Sequence, residues 1–303
     1  MVEKIGNVKL NYEFYKGTDH YSDGDIEDEL LKYVEESEDV LKILKNDNRW
    51  PILYHLSPVR QNILDWYPIG KDSQVLEIGA GCGAITGVLC KKAKNVTCID
   101  LSKRRSLINA NRNKRYDNLE IMVGNFNDII LEEKYDYITL IGVLEYAAYY
   151  TDSERPFVTF LENIKKMLKP GGKVLIAIEN KFGLKYWGGA REDHTSVYFD
   201  GLEGYHHTGS KVRTFSKTQL TQILHQAGFF SNEFYYPYPD YKFPQQIFSN
   251  EYLPKHEDII ISMGSYDKDR LRLFDENLVF GEIIEEEMFD FFTNSFFVEA
   301  GMD

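Results

Sequence analysis

Cysteine is scarce in this chain. Of 303 residues only Cys82, Cys90 and Cys98 carry a thiol. They share no metal-ligand spacing, so neither a disulfide framework nor a zinc site is expected, and reduced thiols suit a cytoplasmic setting. Long apolar runs are missing as well. No stretch approaches the roughly 20 residues that a membrane-spanning helix needs, and the start Met1-Val2-Glu3-Lys4 lacks the features of a signal peptide. Positive charge is the third shortage. The formal net charge is −13, which argues against a nucleic-acid partner, because neutralising phosphates takes a basic footprint. The densest basic run, Lys103, Arg104, Arg105, Arg112, Lys114 and Arg115, reads as the wet face and C-terminus of a helix.

What the chain does have is a glycine-rich turn behind a short apolar strand. Val75 to Ile78 carries Glu77 near its end, Gly79-Ala80-Gly81-Cys82-Gly83 follows, and Ile85, Val88 and Leu89 begin an amphipathic stretch. Glycines let a backbone approach a ligand closely and line the pocket with N–H groups. Gly79, Gly81 and Ala84 also satisfy the G-x-G-x-x-A form of a dinucleotide fingerprint, so this turn alone leaves a nicotinamide cofactor open.

Further stations follow in order. Val96 to Asp100 is a second strand whose terminal carboxylate can accept from ribose hydroxyls. Leu119 to Val123 is a third, leading into Gly124-Asn125-Phe126; Asn125 can accept from an exocyclic amine. Tyr135 to Ile141 is a fourth, leading into Gly142-Val143-Leu144-Glu145-Tyr146, with Asp136 at its start as a structural residue. Then Leu168-Lys169-Pro170-Gly171-Gly172 stops a helix and turns the chain into a fifth strand, Val174 to Ile178.

Taken together, the E-x-G-x-G-x-G turn, the Val-Leu-Glu segment and the Leu-Lys-Pro-Gly-Gly turn resemble the class I S-adenosylmethionine-dependent methyltransferases. Tyr146 stands where histidine is common in that family. The resemblance implies an α/β fold: a seven-stranded, mostly parallel, doubly wound sheet with an N-terminal helical extension and insertions after strands 5 and 6. It implies S-adenosylmethionine as cofactor, with Glu77, Gly79, Ala80, Gly81 and Gly83 at its methionine part. Asp100 and Leu101 would meet the ribose, Asn125 and Phe126 the adenine, and Gly142 and Val143 would complete the set. A narrower similarity, in Tyr54-His55-Leu56-Ser57-Pro58 and the segment 178–187, is to bacterial methyltransferases found with cell-surface glycan and glycosyltransferase genes. It implies association with, or fusion to, glycan-synthesis enzymes.

Around the core, 71–236, three additions are expected. Residues 1–70 form a helical extension or lid, with Ile26, Leu30, Val34, Leu41 and Leu44 on one helical face and a second helix reaching toward Trp66. Arg60 within it either pairs with the cofactor carboxylate or is structural, and His55 is packed or capping. The segment 179–213 interleaves Tyr186, Trp187, Tyr198 and Tyr205 with Glu192, Asp193, His194, His206 and His207. Such a loop beyond the end of a core strand suits a carbohydrate or another polyhydroxylated small molecule, and its histidines offer no metal set. Ser216 and Gln219 make a capping box for a helix that Gly228 ends. Residues 229–236 are the sixth strand, 237–290 a helical insertion, and 291–298 a seventh strand antiparallel to the sixth, within a terminal segment 291–303.

Methyl transfer is an in-line displacement, and a hydroxyl acceptor must also lose its proton. His194 is the first candidate base, with Asp193 to orient it; Glu145 and Glu179 are alternatives, as are His206 and His207. The expected acceptor is a sugar hydroxyl on a nucleotide-sugar or surface-glycan precursor, with a small-molecule amine or carboxylate as runner-up. A SAM-binding scaffold without chemistry is the reading from another class.

Overall fold

The computed structural model describes residues 2–19, 23–37, 39–259 and 270–303. Ten strands run through them rather than the seven expected. The chain divides into two compact units, one of residues 1–140 and 166–173, the other of 141–165 and 174–303.

In the first unit the strand order is β1 (Val2–Ile5), β2 (Val8–Asn11), β5 (Leu119–Val123), β4 (Asn95–Asp100), β3 (Gln74–Ile78) and β6 (Tyr135–Ile141). All neighbours from β2 to β6 pair in parallel; only β1 and β2 are antiparallel. The central strands are apolar on both faces, as a covered parallel sheet demands: β3 and β5 are buried along almost their whole length. The chain runs from β3 through β4 to β5 and then returns to the other side of β3, at β6. That reversal creates a crevice at the carboxyl ends of the strands, where open α/β sheets bind ligands.

The β1–β2 hairpin replaces helix at the start of the expected extension. Val8 and Leu10 point inward and Lys9 outward, the period of two that a sheet imposes. Gly6 holds a left-handed φ of +59°, and a Cβ there would lie 2.8 Å from Lys114 Cβ. The single amphipathic helix expected over 26–44 is broken in two, Ile26–Glu36 and Val40–Asn46, because Asp39 caps the second through Lys42 N. Leu30 and Val34 from the first helix, Ile43 from the second and Ile52 and Leu56 beyond them pack with Cys82 and Ile108. Burying each such aliphatic side chain stabilises by about 1.5–3 kcal/mol, so this segment is an integral part of the first unit.

In the second unit the later half of β7 (Leu168–Glu179) is followed across the sheet by β10 (Ser295–Gly301), β8 (Ser231–Tyr238) and β9 (Gln246–Ser249). The expected antiparallel pairing of the last two core strands is present, with Val298 opposite Phe234. The last strand begins at Ser295 rather than 291, since Phe289–Phe292 forms a helical turn that buries Phe289. β9 pairs antiparallel with β8 inside the insertion expected to be helical, and residues 260–269 of that insertion lie outside the described residues. The helix Lys217–Ala227 has its Ser216–Gln219 capping box, and Gly228 ends it at φ +86°. Among the described residues no helix is long and apolar enough to cross a membrane.

Candidate active site

Every glycine of the turn after β3 has positive φ: +69° at Gly79, +52° at Gly81 and +74° at Gly83. Their surroundings differ. A Cβ on Gly83 would strike the Asn109 amide, whereas at Gly81 no atom lies within 4 Å. Gly83 serves packing, and Gly81 faces open space. Four of the five N–H groups of the turn are already spent: Gly79 N and Ala80 N donate to Ile99 O at 2.8 and 3.2 Å, and Gly83 N to Ala80 O at 3.0 Å. Gly81 N donates to Asp100 Oδ2 at 2.7 Å. What the turn offers a ligand is room, not the expected row of donors.

Glu77 lies beneath this turn rather than on its open side. It is 4% exposed, and its Oε2 accepts from Thr86 Oγ1 at 2.6 Å and Cys98 Sγ at 3.1 Å. Burial pushes its pKa up to about 7. Thr86 accepts in turn from Asn109 Nδ2 at 3.1 Å. Glu77 therefore positions the turn from below. Asp100 ends β4 as expected, and its Oδ1 also accepts from Ser102 N at 2.9 Å. Its remaining lone pairs are available to ribose hydroxyls, with Leu101 next in the chain. Asn125 uses its Oδ1 to cap the turn Phe126–Asp128 through Asn127 N at 2.9 Å, leaving its amide N–H₂ to a ligand. Phe14 packs on this turn, its Cβ 2.8 Å from where a Cβ on Gly124 would be.

Three acidic residues that sequence reasoning passed over hold the N-terminal segment here. Asp19 accepts from Ser102 Oγ at 2.9 Å, Lys103 N at 2.8 Å and Arg104 N at 3.1 Å, at the start of the helix Lys103–Arg112. Partial burial alone would raise the Asp19 pKa, but these hydrogen bonds outweigh it and hold it below its usual value. Asp23 and Glu27 pair with Arg105 at 2.8 and 2.7 Å, and Asp23 also meets His55 Nε2 at 2.8 Å. Two cations of the basic run, Arg104 and Arg105, thus pair with the N-terminal acids Asp28, Asp23 and Glu27. No local pattern reveals such contacts, because the partners lie more than 75 residues away.

Arg60 is 5% exposed, with its guanidinium 4.1 Å from the centre of the Tyr54 ring. Its Nε and Nη1 have no hydrogen-bond partner. Buried donors are rarely left unpaired, and these two suit an anion.

The second unit assembles the candidate catalytic residues. Gly142 and Val143 follow the last residue of β6, and Gly142 N donates to Ala177 O at 2.9 Å. Gly142 has φ +71°, and a Cβ there would lie 2.9 Å from Tyr241 OH and 3.5 Å from Glu145 Oε1. Only glycine fits against these groups. Glu145 and Glu179 are buried, at 1% and 0% exposure. Glu179 Oε1 pairs with Lys242 Nζ at 2.6 Å and accepts from Tyr241 OH at 3.2 Å. His194 Nε2 lies 3.7 Å from Glu145 Oε1, and its Nδ1 lies 3.0 Å from Glu192 Oε1. The Oε2 atoms of Glu145 and Glu179 have no partner.

Asp193 does not orient His194. Adjacent side chains diverge here: Asp193 turns to Lys185, 2.9 Å away, to Lys242 and to Tyr186 OH, while Glu192 holds the ring. Nor is His194 a neutral base. Burial would lower its pKa, but Glu145 and Glu192 hold it well above the usual imidazole value, so it carries a proton at neutral pH. His206 and His207 are exposed, with His207 paired to Glu203. Tyr146 packs edge-on against His194, its ring centre 5.3 Å away. Although the histidines of the loop form no metal set among themselves, the fold brings Glu145, Glu179 and His194 together, with ligand atoms within 4.8 Å of one another.

Residues 76–174 match the family described as "Methyltransferase domain". The demethylmenaquinone methyltransferase of Tropheryma whipplei is 30% identical over 103 residues, covering 34% of this chain and 40% of that protein. The mitochondrial ubiquinone biosynthesis O-methyltransferase of Dictyostelium discoideum is 29% identical over 125 residues, 37% of each chain. Among solved structures, the N-methyltransferase NodS of Bradyrhizobium japonicum, in complex with S-adenosyl-L-homocysteine, is similar over 52% of this chain and 78% of its own. It shows 26% identity and a TM-score of 0.36. The chain spans about 40% of the length of the first curated relative it matches.

Residues 76–174 of this chain carry a methyltransferase domain with a Rossmann-like α/β fold. The first unit fits S-adenosylmethionine on its own evidence: the open side of Gly81 leaves room for it, the unpaired Arg60 guanidinium suits its carboxylate, and Asp100 suits its ribose.

Proposed function

We propose that the protein transfers a methyl group to a hydroxyl of a polyhydroxylated acceptor, a sugar or a glycan precursor. The observation that carries this reading is the pair of buried carboxylate oxygens without partners, Glu145 Oε2 and Glu179 Oε2. A buried acceptor atom left unpaired costs about 1–3 kcal/mol. Hydroxyl groups are donors of matching size, and Tyr146, packed on His194 beside these acids, supplies an aromatic face for a sugar ring. A carboxylate acceptor would be repelled here. The curated relatives' names span menaquinone, ubiquinone, ribosomal RNA and malonyl-acyl carrier protein, so they select no acceptor.

When bound, S-adenosylmethionine supplies an electrophilic methyl group on a sulfonium. The chain's own residues bind and orient. Arg60 takes the cofactor carboxylate and Asp100 its ribose. Glu145 and Glu179 fix the acceptor hydroxyls, and one of these carboxylates takes the proton that the reacting oxygen gives up. His194, held by Glu192, faces Glu145 and keeps it in place. Most of the rate then comes from orientation, which is worth several kcal/mol where the reacting atoms are held in line.

The test is incubation with methyl-labelled S-adenosylmethionine and separate pools of nucleotide sugars, glycan precursors, amines and carboxylic acids. Label in the sugar or glycan pool, lost in Glu145→Gln with S-adenosylhomocysteine binding intact, is the expected result. Label confined to the amine or acid pool overturns the hydroxyl reading. Tight cofactor binding with no label in any pool makes the chain a SAM-binding scaffold.

A further inference from the structure

More carboxylates than cations meet in the network around Glu145. Glu145, Glu179, Glu192, Asp193 and Asp240 are five carboxylates, and His194, Lys185 and Lys242 are the three cations they touch. All of Glu145, Glu179, Glu192 and Asp240 are buried. Unbalanced charge of this kind is among the most expensive features a protein interior can hold. A bound cation would offset it.

The geometry says where. His194 Nδ1 is held by Glu192 Oε1 at 3.0 Å, and Glu192 Oε2 is itself fixed by His194 N and Thr195 N at 2.7 and 2.6 Å. A carboxylate fastened to one ring nitrogen is the arrangement that aims the other nitrogen at a metal. That other nitrogen, Nε2, faces Glu145 Oε1 at 3.7 Å, beyond hydrogen-bond reach but suited to two ligands of one ion. The unpartnered Oε2 atoms of Glu145 and Glu179 complete the group, and ligand atoms from the three residues lie within 4.8 Å of one another.

We propose that Glu145, Glu179 and His194 bind a divalent cation, and that its open positions take neighbouring hydroxyls of the acceptor. Two carboxylates and one imidazole are oxygen-rich ligands with a nitrogen, a set that suits Mn²⁺, Mg²⁺ or Zn²⁺. Lys242 and Tyr241 both meet Glu179 at Oε1, so its Oε2 is left for the ion. On binding, the His194 Nε2 proton leaves to solvent, since a metal ligand must be unprotonated. In the transfer itself the acceptor O–H bond breaks and its proton passes to solvent, an O–CH₃ bond forms, and the S–CH₃ bond of the sulfonium breaks with its electron pair left on sulfur, giving S-adenosylhomocysteine. The inference rests on the acceptor reading above, though ion binding is measurable without it.

The experiment is titration of the chelator-treated full chain with Mn²⁺, Mg²⁺ and Zn²⁺ in turn. Calorimetry follows all three, and electron paramagnetic resonance follows bound Mn²⁺. One site per chain is expected, weakened about 10- to 100-fold in Glu192→Gln, which removes the charge that aims His194, and lost in Glu179→Gln. Circular dichroism and S-adenosylhomocysteine binding check that both variants fold. No binding of any of the three ions by the wild type, or equal binding by Glu179→Gln, overturns the proposal. Sugar methylation that persists in excess chelator also overturns it while leaving the acceptor reading intact. Ion binding with label only in amines overturns the acceptor reading and leaves the ion site standing.

Discussion

Arg105 Nε donates to Glu27 Oε1 at 2.7 Å, with the Glu27 side chain fully buried and that of Arg105 only 9% exposed. The pair joins the helix Ile26–Glu36 to the helix Lys103–Arg112. Removing one partner leaves an uncompensated buried charge, so Arg105→Ala should destabilise the first unit by about 3–5 kcal/mol. Replacing both by apolar residues, Glu27→Leu with Arg105→Met, should recover most of that loss. Urea denaturation followed by tryptophan fluorescence measures both. A double variant no more stable than the single one would show that the pair does more than fill space.

Glu77 sets a pH dependence of opposite sign to that of a surface carboxylate. Burial raises its pKa from 4.5 in the unfolded chain to about 7 in the fold. The folded chain therefore holds this proton where the unfolded chain has lost it. The stabilisation is full below pH 4.5, falls as pH rises, and is gone above about 7, a total of about 3 kcal/mol. Glu77→Gln can still accept from Thr86 and should flatten stability between pH 5 and 7. Thermal melts of both forms across that interval decide; parallel slopes would mean that Glu77 is ionised in the fold.

Arg60 should discriminate the carboxylate of the cofactor. A charge-assisted hydrogen bond contributes about 1.5–3 kcal/mol, so Arg60→Ala should weaken S-adenosylhomocysteine binding by roughly 10- to 150-fold. Wild type should bind a decarboxylated analogue about as weakly as the variant does. Calorimetry with both ligands tests this, and equal affinity of wild type for the two would remove Arg60 from the site.

Gly142 should matter for turnover more than for cofactor binding. At φ +71°, alanine is strained by about 1–3 kcal/mol, and its methyl would press on Tyr241 OH beside Glu179. Gly142→Ala should lower kcat at least tenfold with S-adenosylhomocysteine affinity changed little. Steady-state kinetics and calorimetry separate the two. Loss of cofactor affinity with kcat unchanged would place Gly142 at the cofactor instead.

Local chemistry made the central strands, the glycine turn and the capped helix Lys217–Ala227 legible in the sequence. Each rests on neighbours in the chain: apolar runs for buried parallel strands, positive φ for glycines, and a serine bonded three residues on. Where a short pattern competed with a helical one, sequence reasoning failed. The period-two segment at Val8 and Leu10 became an edge strand because β5 was there to pair with it. Which atoms a site presents was not legible at all. Asp193, next to His194, is the partner that chain order suggests, yet Lys185 and Lys242 draw it away and Glu192 takes its place. Glu145, Glu179 and His194 come from three separate segments and meet only in the fold. Spacing along a chain specifies contacts between neighbours, whereas distant charges are paired by how strands and loops pack, and that is settled by the tertiary structure alone.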